Sequence, residues 1–551
     1  MGNISMVKRK MVIVGGGSAG WMAAAYLQAA LAKNPRGDVE ITLIESPDIP
    51  RISVGEATVP NIHHILTTIG IQLLDFMKAT DATFKQSIKY VDWVQNDGSF
   101  YHHPFSRYKS QPLDTAGLDW LNSNGAVPFM ETVSAQPQIC DMGLAPLMLT
   151  KWDFGPPLTY AFHMNAQKFA DLLTKIATER GATHLRDNVV DMEMKEDGNI
   201  AAVLTETGQR IEADLFVDCT GFRAALIEKK LDVGWDDCSQ WLLCDRASVM
   251  HIPYDHYYPG SVRPYTTATA LSNGWVWDIP LQNARSIGYV HSSGYISEED
   301  AEKELRKYGG PHSEELSSRQ IKFKVGRREK AWVKNCISIG LSGGFIEPLE
   351  STGLYLSDLA SVMLAEHFPF RDEDNEAMAF RVNRVMTNRF YEILDFINMH
   401  YCLTKRTDTE FWREVQKPER INDRLKAKFD YWKIKPPSAS DFEDQMLPNQ
   451  SGAPMAKNSF PGDHRAPIDG AGLWDFHSYE CIMYGMDYLV DEYRGKNGKP
   501  LGLPPMPRDI LSRIQAAPQK LPPHEIWLQR VLGMKEFPGV RDPRWCSHAK
   551  A

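Results

Sequence analysis

A short apolar strand, Met11-Val12-Ile13-Val14, runs directly into Gly15-Gly16-Gly17-Ser18-Ala19-Gly20 and then into a helix-like stretch from Trp21 to Leu31. Between a strand and a helix, G-x-G-x-x-G lets the backbone approach a pyrophosphate whose charge meets the amides of the helix N-terminus. The arrangement predicts an α/β, Rossmann-like dinucleotide fold, with Gly15, Gly17, Ser18, Ala19 and Gly20 at the nucleotide. A second strand, Glu40 to Ile44, ends at Glu45, about where an acid binds a ribose diol.

The fingerprint alone does not separate FAD from NAD. No second G-x-G-x-x-G follows, so if flavin is bound, its reducing equivalents come from another protein. A later strand, Asp214 to Val217, leads into the small-residue turn Asp218-Cys219-Thr220-Gly221, which could touch the dinucleotide from its other side.

Strand and helix signals interleave from residue 1 to about 370, the pattern of an α/β domain with inserted segments, here about 84–160. One insertion reads as a β-hairpin: Ser87 to Gln95, a two-residue turn at Asp97-Gly98, and a return along Phe100 to His103. Residues 104–160, rich in Pro, Gly and aromatics, read as irregular. From 371 to 551 the chain reads as mainly helical, with helices over Glu376–Met399 and Ile421–Trp432 and a polar, Pro-rich stretch from Pro436 to Asp469.

A net charge of −9 argues against a nucleic-acid partner and favours a small-molecule substrate. The eight cysteines form no C-x-x-C pair and no zinc spacing with histidines, so no metal site is expected. The N-terminus leaves no room for a signal peptide, and no apolar run reaches the ~18 residues of a membrane span. These readings predict a cytoplasmic protein without a membrane partner.

Several ordered segments together resemble the flavin-dependent tryptophan halogenase family, from residue 11 to roughly 485. They are Gly15-x-Gly17-x-x-Gly20-Trp21-x-x-Ala24; Ile49-Pro50-Arg51 to Gly55-Glu56-Ala57-Thr58-x-Pro60; Phe84-Lys85 ahead of Ile88-Lys89; Gly274-Trp275-Val276-Trp277-Asp278-Ile279-Pro280; Glu347-Pro348-Leu349-Glu350-Ser351-Thr352-Gly353; and His400-Tyr401 to Asp408-Thr409-x-Phe411-Trp412. The W-x-W-x-I-P segment is that family's signature.

The resemblance implies FAD, delivered reduced by a separate flavin reductase, with oxygen and chloride or bromide, acting on a small electron-rich aromatic of the indole type. It places the chemistry at two sites. At one, halide is oxidised to hypohalous acid. At the other, Lys85 holds that oxidant against one carbon of the substrate, either as a cation donating a hydrogen bond or, deprotonated by burial, as a chloramine. Lys89, four residues on, has no such assignment and serves as an internal control.

Glu350 matches the second catalytic group, polarising the oxidant or accepting the ring proton, although by itself it reads equally as an acid at a helix N-terminus. Thr352 and Gly353 match a halide nest of backbone amides. Trp275 and Trp277, which alone would read as core aromatics, match a screen between flavin and substrate, and Ala57 falls in the segment over the flavin. In Phe100 to Phe105 the family contributes a His and a Phe to the substrate pocket; His102 and His103 both qualify, with Pro104-Phe105 favouring His103 and Phe105.

The chain also departs from the family. Trp474, followed by Tyr479 and Cys481, matches a substrate-stacking tryptophan, but Leu473 replaces the preceding Phe. Gln450 to Gly472 holds no tyrosine pair for an amino-acid group, Asp469 matches the acid only weakly, and Ser53 stands where the family has Gly. An indole without the amino-acid group, or a larger aromatic, becomes as good a candidate as free tryptophan. A flavin monooxygenase that hydroxylates an aromatic is the alternative reading, and the resemblance leaves a homodimer open.

Overall fold

The computed structural model describes residues 7–51, 55–107, 116–123, 127–149, 154–155, 157–254, 262–438, 441, 473–490 and 506–534. Its nucleotide-binding sheet has six strands, in the order Trp332–Val333, Cys336–Ser338, Leu215–Asp218, Val7–Val14, Gly37–Glu45 and Thr183–Arg186. The central strand Val7–Val14 is parallel to both neighbours, so its C-terminal end opens where the chain must turn into the helix Ser18–Leu31. Ligands of open parallel sheets bind at such ends.

Glycine is required at the start of this turn. Gly15 sits at φ +115°, and a Cβ there would come within 2.2 Å of the Cys219 carbonyl oxygen. A Cβ on Gly20 would lie 2.0 Å from the Gly15 carbonyl oxygen. Both positions allow close backbone packing between strand, turn and helix.

A seven-stranded sheet follows the order Ser318–Lys322, Arg246–Pro253, Ala284–His291, Gly274–Pro280, Thr266–Leu271, Ser87–Val91 and Phe100–Pro104. The last two strands are the expected hairpin, antiparallel with Ile88 opposite His103 and Tyr90 opposite Tyr101. The two-residue turn is corrected: pairing stops at Val91 and Phe100, and the loop between them is closed by Asp92, whose N–H donates to the Ser99 carbonyl and whose carboxylate accepts from the Gly98 amide. That local bond offers the backbone an alternative to ladder pairing.

Residues 104–160 are not wholly irregular either. The described part contains the short helices Ala116–Leu121, Phe129–Val133 and Gln136–Asp141. Three further strands, Gly55–Ala57, Ala161–Asn165 and Thr83–Lys85, form a small antiparallel sheet whose strand Gly55–Ala57 packs against Gly274–Pro280 and Ala284–His291.

Beyond residue 371 the described elements are helices, led by the 28-residue Asn375–Cys402. Among the described residues no helix is long and apolar enough to cross a membrane. The helix His524–Leu532 returns under the strand Thr83–Lys85, where Trp527 meets Phe84 edge-on with ring centroids 4.7 Å apart. His524 Nδ1–H donates to the Val262 carbonyl at 2.8 Å, so Nε2 is free to accept the Phe84 N–H at 3.2 Å. Burial pushes this imidazole down to about 4, which keeps that acceptor available.

Candidate active site

At the end of the parallel sheet lies a cavity of about 390 Å³, lined by Gly15, Gly16, Gly17, Ser18, Ala19, Glu45, Ala57, Cys219, Thr220 and Gly221 and also by Trp275, Trp277, Glu350 and Gly353. Its size is that of a cofactor site. Gly17 has nothing within 4 Å of where a Cβ would sit, so a side chain there would project into the cradle. The turn 218–221 reaches the cavity as its position after a strand suggests. Gly20 is not among the residues lining the cavity, and its lack of a Cβ serves the contact with Gly15.

Glu45 is held in place. Arg51 donates to both of its carboxylate oxygens, at 2.7 and 2.9 Å, and His184 lies 3.0 Å away. Burial works to raise its carboxyl, but the Arg51 hydrogen bonds and charge prevail and hold it below the usual range. A carboxylate oxygen accepts more than one hydrogen bond, so capacity for a diol remains. The residues present therefore fit an FAD-type dinucleotide.

Lys85 has no solvent exposure. Its Nζ donates to the Thr58 carbonyl at 3.0 Å and to Ser351 Oγ at 2.8 Å, and lies 5.2 Å from the centroid of Phe105. Burial pushes this amine down to about 7, against the opposing charge of Glu350. Lys89 instead pairs with Asp141 at 2.7 Å and lies over the Phe100 ring.

Strand alternation separates the two histidines. Ile88, Tyr90, Tyr101 and His103 fall on one face of the hairpin, and Ser87, Lys89 and His102 on the other. His103 Nδ1 therefore reaches Glu350, at 2.8 Å from Oε1 and 3.0 Å from Oε2, while His102 is held between Ser87 at 3.0 Å and Asp141 at 3.2 Å. His102 belongs to the packing that pins the hairpin. It is itself buried, between buried Ser87 and part-exposed Asp141.

Glu350 and Ser351 occupy the left-handed region in succession, at φ 68° and 62°. For residues with a Cβ this costs roughly 1–2 kcal/mol each, and it aims the two side chains at the Lys85 strand. Glu350 Oε1 accepts from the Tyr90 hydroxyl at 2.5 Å and faces His400 Nε2 at 3.2 Å as well as His103. Burial alone would raise the carboxyl; His103 and His400 outweigh it and hold it well below the ordinary carboxylate range. Thr352, next in line, is buried with its Oγ1 unpartnered, and Gly353 opens the helix Gly353–Glu366, whose first amides lack intrahelical acceptors.

Trp275 and Trp277 lie on one face of Gly274–Pro280, with ring centroids 6.3 Å apart. Trp277 lies across Gly288 of the neighbouring strand, where a Cβ would meet the indole at 2.1 Å. Trp275 Nε1 donates to Glu347 Oε1 at 3.0 Å, and the Tyr401 hydroxyl donates to the same oxygen at 2.6 Å. Burial pushes the Glu347 carboxyl up to about 7 despite these bonds.

Trp474 stacks on Phe396 at 5.1 Å and lies 5.3 Å from His103, the ring that reaches Glu350. Trp474 is thus brought to the Glu350 group from far along the chain. Ser53 and Asp469 lie outside the described residues. Sequence reasoning missed Tyr90, Ser351, His400 and Glu347 as members of the site. Tyr90 was visible only as an apolar position of the hairpin; Ser351, His400 and Glu347 stood inside quoted motifs without a role.

The geometry is that of a dinucleotide-binding fold with a second, buried polar centre beside its nucleotide cavity. Comparison with known proteins sharpens this. The family described as "Tryptophan halogenase" matches residues 10–497. Tryptophan 7-halogenase RebH of Lentzea aerocolonigenes is 35% identical over 504 residues, 88% of this chain and 90% of that protein. Among solved structures, the tryptophan halogenase of Shewanella frigidimarina NCIMB 400 superposes with TM-score 0.83 at 31% identity, covering 98% of this chain and 100% of that one. BrvH, a flavin-dependent halogenase from Brevundimonas sp. BAL3, superposes with TM-score 0.76 at 31% identity over 94% and 98%.

The chain belongs to the tryptophan halogenase family. It is an enzyme, a flavin-dependent halogenase, and these relatives do not favour the aromatic hydroxylase reading.

Proposed function

We propose that this halogenase places chlorine or bromine on an electron-rich ring of the indole class, with Lys85 and Glu350 as its reacting pair. The observation that carries the proposal is the burial of Lys85 against the Glu350-Ser351 turn, beside a nucleotide cavity that Glu350 lines and Lys85 does not. Gly15, Gly17, Ser18, Ala19, Glu45 and Ala57 would hold the FAD. When bound and reduced by a separate reductase, the flavin supplies with oxygen the oxidising equivalents that turn halide into hypohalous acid.

The chain does the rest. The amides of Thr352 and Gly353 hold halide, and Trp275 and Trp277 keep the aromatic substrate from the cofactor. Lys85 fixes the small oxidant at one point, which converts an indiscriminate reagent into a directed one. His103, Phe105 and Trp474 face the indole. As the carbon–halogen bond forms, the oxygen–halogen bond breaks; Glu350 takes the proton that the ring gives up and passes it to the departing hydroxide, which leaves as water.

The test is a single assay of purified protein with FAD, a flavin reductase, NADH, bromide and a panel of indoles, read by mass. Replacement of hydrogen by bromine supports the proposal. Addition of one oxygen, or no product from any indole, refutes it.

A further inference from the structure

The strand Thr83–Lys85 is three residues long and stands at the end of its sheet, paired along one edge with Ala161–Asn165. Along the other edge its place depends on what accepts its outward N–H groups, because a buried N–H without an acceptor is costly. Two acceptors meet it. The Pro264 carbonyl accepts the Gln86 N–H at 2.8 Å, and His524 Nε2 accepts the Phe84 N–H at 3.2 Å. A backbone N–H can only donate, so the ring nitrogen facing Phe84 is the acceptor. This side chain comes from 440 positions away and holds the residue that precedes Lys85.

His524 is itself buried and held on both sides. Its own N–H donates to the Gly143 carbonyl at 2.8 Å, and two residues earlier the Pro522 carbonyl accepts the Ala145 N–H at 2.9 Å. Between these bonds, Gln86 Nε2 donates to the Leu144 carbonyl at 2.8 Å. Ahead of His524, Ile510, Ala517 and Leu521 pack with Ile139 and Leu144 in one buried cluster; after it, Trp527 lies against Phe84. Lys85 is thus bracketed by one C-terminal segment, which holds Phe84 directly and Gln86 through residues 143–145.

We propose that His524 is a positioning residue for halogen transfer: by fixing the Phe84 backbone, it sets where the Lys85 amine stands against Ser351 and Glu350. The tip of Lys85 is held by Thr58 and Ser351, and its root is held through Phe84 and Gln86. Position matters because a held oxidant reacts with the carbon it faces, and a displacement near 1 Å can cost about 10²-fold. The C-terminal segment serves this second step alone. It follows residue 497, where the family match ends, and among the described residues after 497 none lines the nucleotide cavity.

The inference rests on Lys85 as the residue that meets the oxidant. Three variants of the full-length protein test it, read as product per flavin oxidised, with KM, FAD affinity and Tm beside it. In His524→Gln the amide oxygen reaches the place of Nε2 and can accept the Phe84 N–H, so yield should stay near wild type. In His524→Asn the shorter amide falls at the level of Nδ1 and misses Phe84. Its yield should drop about tenfold or more, with KM, FAD affinity and flavin oxidation little changed. His524→Leu, which has no acceptor, should drop as far.

A role in packing alone predicts another pattern: a lower Tm, with wild-type yield per flavin oxidised from the folded fraction of all three variants. That pattern, a His524→Gln no better than His524→Asn, or a parallel loss of FAD binding overturns the proposal. If His524→Leu does not fold, the comparison of His524→Gln with His524→Asn still decides. Failure of the parent reading looks different: Lys85→Ala would itself halogenate at normal yield.

Discussion

Lys85 Nζ donates to Ser351 Oγ at 2.8 Å although 266 positions separate them. The bond joins the edge strand Thr83–Lys85 to the left-handed turn that carries Glu350, and it is buried. Two conformations that would be costly alone, an amine out of water and consecutive residues at positive φ, are held by one another. Strain of this kind persists where surrounding structure over-determines it.

The ionisation of the pair predicts the pH profile. Glu350 is held well below the ordinary carboxylate range, so it stays ionised throughout the working range. The acid limb of product yield should therefore fall near the Lys85 value of about 7, as the amine gains its proton, and not at 4–5. Glu350→Gln, which keeps the shape and removes the proton acceptor, should lower product about 10²-fold. A limb centred at 4–5 in steady-state profiles would reassign it.

Burial of Lys85 should also cost stability, with a definite sign. Its folded value lies below its unfolded one, so the unfolded chain binds more protons between about 7 and 10.5 and stability rises with pH across that window. The cost is fully present below about pH 7 and amounts to roughly 3–5 kcal/mol. Lys85→Met gives up two hydrogen bonds, about 1 kcal/mol each. Thermal unfolding should nevertheless show a higher Tm for Lys85→Met at pH 7, the gain shrinking toward pH 10; a lower Tm at pH 7 would contradict it.

The cofactor cradle makes its own prediction. Gly17→Val places a branched side chain in the space left open for the pyrophosphate, and flavin fluorescence titration should show binding lost with the fold intact by circular dichroism. Retained affinity would move the phosphate site elsewhere.

The nucleotide turn, the hairpin and the long helix Asn375–Cys402 were legible because period and turn chemistry are local signals. The same alternation, once the register is known, chooses His103 over His102. What was not legible is long-range. Nothing near Glu350 announces Tyr90 or His400, and nothing near Phe84 announces His524, which supports the lysine strand from 440 positions away. Positive φ at Glu350 and Ser351 carries no glycine to mark it, so the turn looked like an ordinary helix start.

Substrate preference follows from the departures around Trp474. Leu473 stands for the family's Phe, and Gln450 to Gly472 offers no tyrosine pair to a zwitterion. Indole or a substituted indole should be turned over at least as well as free tryptophan in competition assays read by mass. Strong exclusive use of tryptophan would show that these departures do not set recognition.

The separation of making the oxidant from using it is tested most directly by product yield per flavin oxidised in Lys85→Ala, with Lys89→Ala beside it. Lys85→Ala should bind and reoxidise flavin as wild type does while product falls to background, a loss confined to the second transition state. Lys89→Ala, on the opposite face of the hairpin, should keep most of its yield. Near-normal halogenation by Lys85→Ala, or a failure traced to flavin that no longer reacts with oxygen, would contradict the assignment of Lys85 as the residue that delivers halogen to the ring.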